Sequence, residues 1–194
     1  MPDLPSPLVS ALRHRYEAQV VALARRTRAK RILVTHCGDG AVLDLLARAG
    51  LRAEIHGCDP SSLAVTRARE RLGDLATIRL ADAEELEPRD DEDGPNFDLV
   101  VMLSAFERAQ TPEKLLALAG RLSRRYVLLG AADAPAMRGA NLLRARHLRG
   151  LGVDPESHRR WPRRRFIDWV GTRFRVLAAP RVPPWTLVLA ERIY

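Results

Sequence analysis

The stretch "RILVTHCGDGAVLDLLARAG", residues 31–50, decides the fold. A short apolar run, a turn with two glycines and an amphipathic segment read as buried strand, tight loop and helix. Gly38 and Gly40 let the backbone turn sharply. Amides at the start of the following helix then point at whatever sits above the loop. A dinucleotide fingerprint needs a third glycine three residues after the second. That position is Leu43, which argues against a nicotinamide or flavin dinucleotide.

The same grammar repeats along the chain. Residues 7–29 read as an opening helix, with Ser6 as N-cap, Pro7 at the first helical position, and Leu8, Leu12, Tyr16, Val20 and Leu23 at helical spacing. "AEIHGCD" is a second strand and "SSLAVTRARERL" a second helix, capped by Ser61 or Ser62. "ATIRLAD" is a third strand, followed by the acidic loop "RDDEDGPN", residues 89–96. "FDLVVML" is apolar on both faces, as a central parallel strand should be. Thr111 caps the helix "PEKLLALAGRLS", and "RYVLLGA" is the fifth strand. Beyond residue 135, "AMRGANLLRARHLRG" and "RRRFIDWVGTRF" read as helices, and "RVLAAP" and "WTLVLAERIY" as a closing antiparallel pair joined by "RVPP".

Strands alternating with helices imply a Rossmann-like three-layer α/β/α sandwich. The expected sheet is mostly parallel and seven-stranded, with an antiparallel last strand. The expected organisation is one domain over residues 1–194: an N-terminal helix (1–29), a cofactor-binding core (30–135), and basic acceptor-side helices with closing strands (136–194).

Composition narrows the function. No apolar run reaches the ~18 residues of a membrane span, and the N-terminus has no signal-peptide pattern. Two cysteines, Cys37 and Cys58, cannot build a disulfide framework, so the expected location is cytoplasmic. The formal net charge of +8 is unevenly placed. Residues 1–120 hold 16 basic and 19 acidic side chains, a balance of −3, whereas residues 121–194 hold 16 and 5, a balance of +11. Such a surface attracts an anionic substrate or nucleic acid, or is simply a solvated arginine-rich face. "RRWPRRRF" raises nucleic acid directly, through arginines beside an aromatic. The competing reading is that Trp161, Phe166 and Trp169 anchor a late helix on the core, and the shared helical face of Phe166 and Trp169 favours it.

Ligands on such sheets lie beyond the carboxyl ends of the strands. Asp59, 19 residues past Gly40, ends the second strand, where a carboxylate accepts hydrogen bonds from both hydroxyls of a ribose. Asp82 ends the third strand, within reach of an adenine edge. Either acid alone is also a common helix cap. A rival reading takes His36, Cys37, His56 and Cys58 as zinc ligands on adjacent strands. Neighbouring residues on a strand point to opposite faces, which divides that set, so no metal is expected.

With those residues in place, the chain resembles the class I S-adenosylmethionine-dependent methyltransferases. "RILVTHCGDG" is similar to that family's glycine-rich first motif and "IHGCDPSSLAVTRARERL" to its second. "ATIRLADAEELE" is similar to the adenine-binding third motif, and "FDLVVMLSAFERAQTPEKLLALAGRLSRRYVLLGA" to the fourth strand, helix and fifth strand. The tail "NLLRARHLRGLGVDP" with its later "PWTLVLA" is similar to the end of bacterial members. The resemblance implies S-adenosylmethionine as cofactor, held by His36, Gly38, Gly40, Asp59, Pro60, Asp82, Ala83, Leu103 and Ser104. The implied reaction is methyl transfer by in-line displacement, in which positioning does most of the work. A general base is required only for a hydroxyl or protonated-amine acceptor. Its candidates are Glu107, His147 and His158, each of which is alternatively a surface or packing residue.

Two departures from the family pattern stand out. Val34 replaces the acid that usually closes the first strand, and His36 replaces the motif's first glycine. A non-catalytic relative acting as a binding or partner subunit is therefore the alternative expectation.

Overall fold

Apolar runs bounded by turn residues form the strands, and amphipathic runs between them form the helices. The computed structural model describes residues 7–86, 97–103, 105–107, 109–133 and 161–193. Helix α1 (Pro7–Thr27) leads into β1 (Arg31–Thr35), α2 (Ala41–Arg48), β2 (Glu54–Asp59), α3 (Ser62–Leu72) and β3 (Thr77–Leu80). Then come β4 (Phe97–Leu103), α4 (Pro112–Leu122), β5 (Ser123–Ala132), α5 (Arg163–Val170), β6 (Phe174–Ala178), β7 (Arg181–Val182) and β8 (Trp185–Arg192). The expected helix over 136–150 and the acidic loop 89–96 lie outside the described residues.

The strands follow the order β3-β2-β1-β4-β5-β8-β6, with the two-residue β7 paired to β8. The strands from β3 to β5 are parallel, and β8 runs antiparallel to β5, β6 and β7. The seven expected strands are present, and β7 is the addition: two residues of the "RVPP" connection fold back onto Thr186 and Trp185.

Period-two alternation assigns the strand side chains to two cores. Ile32, Val34, Leu99, Val101 and Leu128 face Val20 of α1, Leu43 of α2 and Val65 of α3. Leu33, Val100, Met102, Val127 and Leu129 face Leu116 of α4 and Phe166 of α5. Both faces of β4 are thus covered, which is why its reading as a central strand holds. Trp161 and Phe166 are buried and Trp169 is half-buried among them, with the Trp161 and Trp169 rings 4.6 Å apart. The late aromatics pack rather than present themselves to a ligand. Ser61 caps α3 by accepting from the Ala64 amide at 3.3 Å. Thr111 precedes α4 but makes no side-chain capping bond, and Pro112 at the first turn sets the helical φ.

Three strands are cross-tied at their far end by Glu191 on β8, which accepts from Arg125 on β5 at 2.8 Å and from Arg175 on β6. The Arg175 bond first, and the Arg125 bond second, hold the Glu191 carboxyl below the usual range. A depressed folded-state pKa stabilises the fold above the ordinary carboxylate value of about 4.3, and that contribution is lost as pH falls through the folded value. Wild type should therefore melt above Glu191→Gln at neutral pH, and the gap should close as melting is followed down to about pH 3. A gap independent of pH would assign the effect to packing.

Candidate functional site

The order of strands reverses between β1 and β4, where the connections leaving the two strands part to opposite sides and open a crevice at their carboxyl ends. The loop leaving β1 forms one wall. Its first amide after His36 still pairs with β2, Cys37 N–H donating to the Cys58 carbonyl at 3.1 Å. The chain then turns through three left-handed residues: His36 at φ +50°, Gly38 at +56° and Gly40 at +82°. His36 therefore occupies a conformation that favours glycine, at a cost of roughly 1–2 kcal/mol for its β-carbon. Its ring is half-buried and folds back on β1, Nδ1 lying 3.3 Å from the Thr35 hydroxyl oxygen.

Asp59 fixes this loop. The residue is 8% exposed, and its Oδ2 accepts from the Gly38 amide while Oδ1 accepts from the Ser61 amide, both at 2.9 Å. The intervening Pro60 is exposed and has no N–H to offer, so Ser61 is the first amide past Asp59 that can donate. One acid thereby ties the glycine turn to the start of α3. An ionised carboxylate offers about four acceptor sites, so two remain after these bonds. Asp39 anchors the loop from outside, its Oδ2 lying 2.8 Å from an Arg71 guanidinium nitrogen on α3.

Asp82 does not end a strand. The ladder of β3 stops at Leu80, and Asp82 caps a 3₁₀ turn (Ala83–Glu85), Oδ1 accepting from the Glu84 amide at 3.1 Å. A short acidic side chain competes well for backbone amides at such a position, which draws the chain out of the sheet two residues early. The turn seats Ala83 in the core beside Phe106. Leu103, the last residue of β4, is half-buried, with Cδ2 2.7 Å from where a β-carbon on Gly130 of β5 would stand. Ser104, His147 and His158 lie outside the described residues.

Glu107 follows β4 in a buried turn, and one of its carboxylate oxygens accepts from the Ala132 amide at the end of β5. Its position after the fourth strand, within the methyltransferase resemblance, singles out Glu107 but not its surroundings. Tyr16 of α1 lies near it: burial first, and the Glu107 charge second, push the Tyr16 phenol up, so it stays protonated at neutral pH. The Tyr16 ring stands 4.8 Å from Trp185, which pairs with Ala132. Asp133 pairs with Trp161, and burial raises its carboxyl against the opposing pull of the Arg163 amide and charge. Tyr16 was legible only as a helix-packing position, and Asp133 carried no signal in the sequence at all.

The rival zinc set is not brought together. Cys37 packs with Val34 and Leu43 on one face of the sheet, and Cys58 packs with Leu33 and Met102 on the other. Burial is the main cause that pushes the Cys37 thiol up to about 11 and the Cys58 thiol up to about 12. Among the described residues, no group of three or more His, Cys, Asp or Glu side chains is placed to hold a metal ion. Among them too, no helix is long and apolar enough to cross a membrane.

Comparison with known proteins agrees with this geometry. Residues 33–125 match the family model of a methyltransferase domain. No curated protein sequence matches the chain. Among solved structures, the chain is similar to magnesium protoporphyrin IX methyltransferase (ChlM) from Synechocystis PCC 6803 with bound SAH. That match has a TM-score of 0.69 at 17% identity and covers 100% of this chain and 90% of that one. N-methyltransferase NodS from Bradyrhizobium japonicum WM9, in complex with S-adenosyl-L-homocysteine, gives a TM-score of 0.68 at 13% identity, again covering 100% and 90%. The methyltransferase domain of bacterial CtHen1-C gives 0.67 at 18% identity, covering 94% and 100%. By its sheet order and its glycine loop the chain has the fold of the class I S-adenosylmethionine-dependent methyltransferases, and its residues 33–125 match a methyltransferase domain.

Proposed function

We propose that this chain binds S-adenosylmethionine at the carboxyl ends of β1 and β2 and transfers its methyl group to a small-molecule or anionic acceptor. One observation carries the reading: the left-handed loop 36–40 is held by a buried Asp59 that keeps acceptor capacity in reserve. The site fits the cofactor on a second count, since nothing lies within 4 Å of where a Gly38 β-carbon would stand, leaving that side of the loop open. Asp59 would accept from the ribose hydroxyls, with Pro60 beside it. Asp82 and Ala83 would border the adenine, and His36, Gly38 and Gly40 would face the methionine end. Leu103 and Ser104 would flank the sulfonium.

When bound, the cofactor supplies an electrophilic methyl group; the protein's part is to orient the acceptor, exclude water and manage a proton. Glu107 is the base for a hydroxyl or ammonium acceptor, with His147 and His158 as alternates. Glu107→Gln should then lower kcat by about 100-fold or more while leaving cofactor affinity within a few-fold. Equal losses in both would make Glu107 a support for the β4–β5 ends instead.

A second reading, a non-catalytic binding subunit, is favoured by one observation, the imidazole at His36. Calorimetry with S-adenosylhomocysteine separates the two. Saturable micromolar binding is expected, and no heat at millimolar ligand overturns the enzyme reading. His36→Gly should raise the affinity several-fold while changing stability by less than about 1 kcal/mol, since relief of the left-handed cost is offset by a floppier unfolded chain. Restoring the family's acid at Val34 is a poorer test. Val34 is buried among Val20 and Leu43, so Val34→Asp would bury an unpaired charge.

A further inference from the structure

The loop leaving β1 offers unequal room to the two halves of a nucleoside-bearing ligand. On the β2 side, Asp59 keeps acceptor sites in reserve and the face of Gly38 is open, which suits a ribose. Toward β4 the loop is closed. Thr35 and Met102 form the last rung between β1 and β4, so His36 and Leu103 come next, at the mouth of the switch crevice. The half-buried imidazole folds back there, its Nδ1 3.3 Å from the Thr35 hydroxyl oxygen. The loop amides along this path are already engaged. Cys37 N–H donates to the Cys58 carbonyl and Gly38 N–H to Asp59. Gly40 N–H donates to the Cys37 carbonyl at 3.0 Å, and Ala41 N–H to Asp39 at 3.3 Å. Asp39 is the only acid between residues 34 and 41, and Arg71 of α3 holds it at 2.8 Å.

We propose that this loop selects the nucleoside half of its ligand while His36 fills the room of an amino-acid end. An adenine nucleoside thioether with a short, uncharged 5′ arm then binds more tightly than S-adenosylhomocysteine. The inference rests on the cofactor reading above and narrows its ligand. An amino-acid end carries an ammonium and a carboxylate, and both lose water on entering the crevice. The ammonium meets no unpaired acid of the loop, and the carboxylate meets amides that already donate, so neither loss is offset. The imidazole must also leave its place before that end can enter. A methylthio arm brings no charge and lies against Leu103 and the ring as apolar surface. Asp59 serves both ligands alike, through the ribose hydroxyls they share. Short-armed 5′-thioadenosines are therefore ligands of this site in their own right and compete with the cofactor for it.

Calorimetry with S-adenosylhomocysteine and 5′-methylthioadenosine in parallel tests the order. Wild type should bind 5′-methylthioadenosine several-fold more tightly. His36→Gly should tighten S-adenosylhomocysteine several-fold and move 5′-methylthioadenosine by less than about twofold, closing the gap. His36→Ala removes the ring but keeps the β-carbon; it should do the same, and serves if the glycine variant is not folded by circular dichroism. Asp59→Ala should abolish binding of both ligands. Equal or tighter binding of S-adenosylhomocysteine by wild type overturns the proposal. So does a His36→Gly gain shared equally by the two ligands. Weaker S-adenosylhomocysteine binding in His36→Gly would make the imidazole a contact for the amino-acid end, and overturns it too. In each of these cases S-adenosylhomocysteine still binds wild type and the cofactor reading stands, whereas silence of both ligands removes the two together.

Discussion

Asp59→Ala should lower the stability of the cofactor-free protein by about 3 kcal/mol and abolish detectable binding of S-adenosylhomocysteine. The stability loss follows from two charge-assisted hydrogen bonds, to the Gly38 and Ser61 amides at 2.9 Å, each contributing about 1.5–3 kcal/mol when a charged group is involved. Both bonds are partly buried, so water recovers some of the loss, and the lower part of the summed range applies. In a chain of 194 residues, that should appear as a melting temperature lower by about 6–12 °C. Asp59→Asn separates the two roles. Its carbonyl still serves one amide, but its NH₂ meets the other donor head-on, so about half of the stability loss should remain. Binding should fall nearly as far as in the alanine variant, because the charge is gone and the spare acceptor sites with it. Unchanged melting in Asp59→Ala would mean that the loop does not depend on this carboxylate.

The parts of this site that were legible in the sequence are those set by backbone rules. Gly38 and Gly40 fall in left-handed turns, Asp59 ends its strand, and β4 is buried on both faces, because glycine, strand length and apolar runs act locally. Asp82 was misplaced by two residues for an equally local reason: periodicity cannot tell the last pair of a ladder from an acid already capping the next turn. The surroundings of Glu107 were not legible. Tyr16 lies 91 positions before Glu107, and Ala132 lies 25 after it. Only the pairing of β4 with β5 and the packing of α1 against β5 and β8 make them neighbours. The arginines show the same limit. A +11 balance over residues 121–194 is plain from composition, but that Arg125 and Arg175 share Glu191 is fixed by strand order and register.

Gly40→Ala should be the most damaging small substitution in the loop, at about 3 kcal/mol, and it should act through packing rather than through the ligand. Gly40 holds φ +82°, which costs an L-residue roughly 1–2 kcal/mol. The added β-carbon would stand 2.6 Å from Leu72 Cδ1, 3.0 Å from Ala68 Cβ and 3.2 Å from Ala68 Cα. The tip of Leu72 can rotate at some expense in a buried site, but Ala68 Cα is helix backbone. Helix α3 is moreover pinned by Arg69, which donates to the Ile78 carbonyl at 2.8 Å, and by the Arg71–Asp39 pair. The helix must shift as a body, adding an overpacking cost of about 1–3 kcal/mol. Gly38→Ala is the matched control: its φ of +56° carries the same backbone cost, but its β-carbon meets nothing within 4 Å. It should lose only about 1 kcal/mol of stability while binding S-adenosylhomocysteine markedly more weakly, since that open side is where the cofactor is proposed to lie. Thermal melting and calorimetry on the two variants therefore give opposite rankings if the loop is read correctly. The same ranking in both measurements would show that Gly38 and Gly40 share one structural role and that the cofactor lies elsewhere.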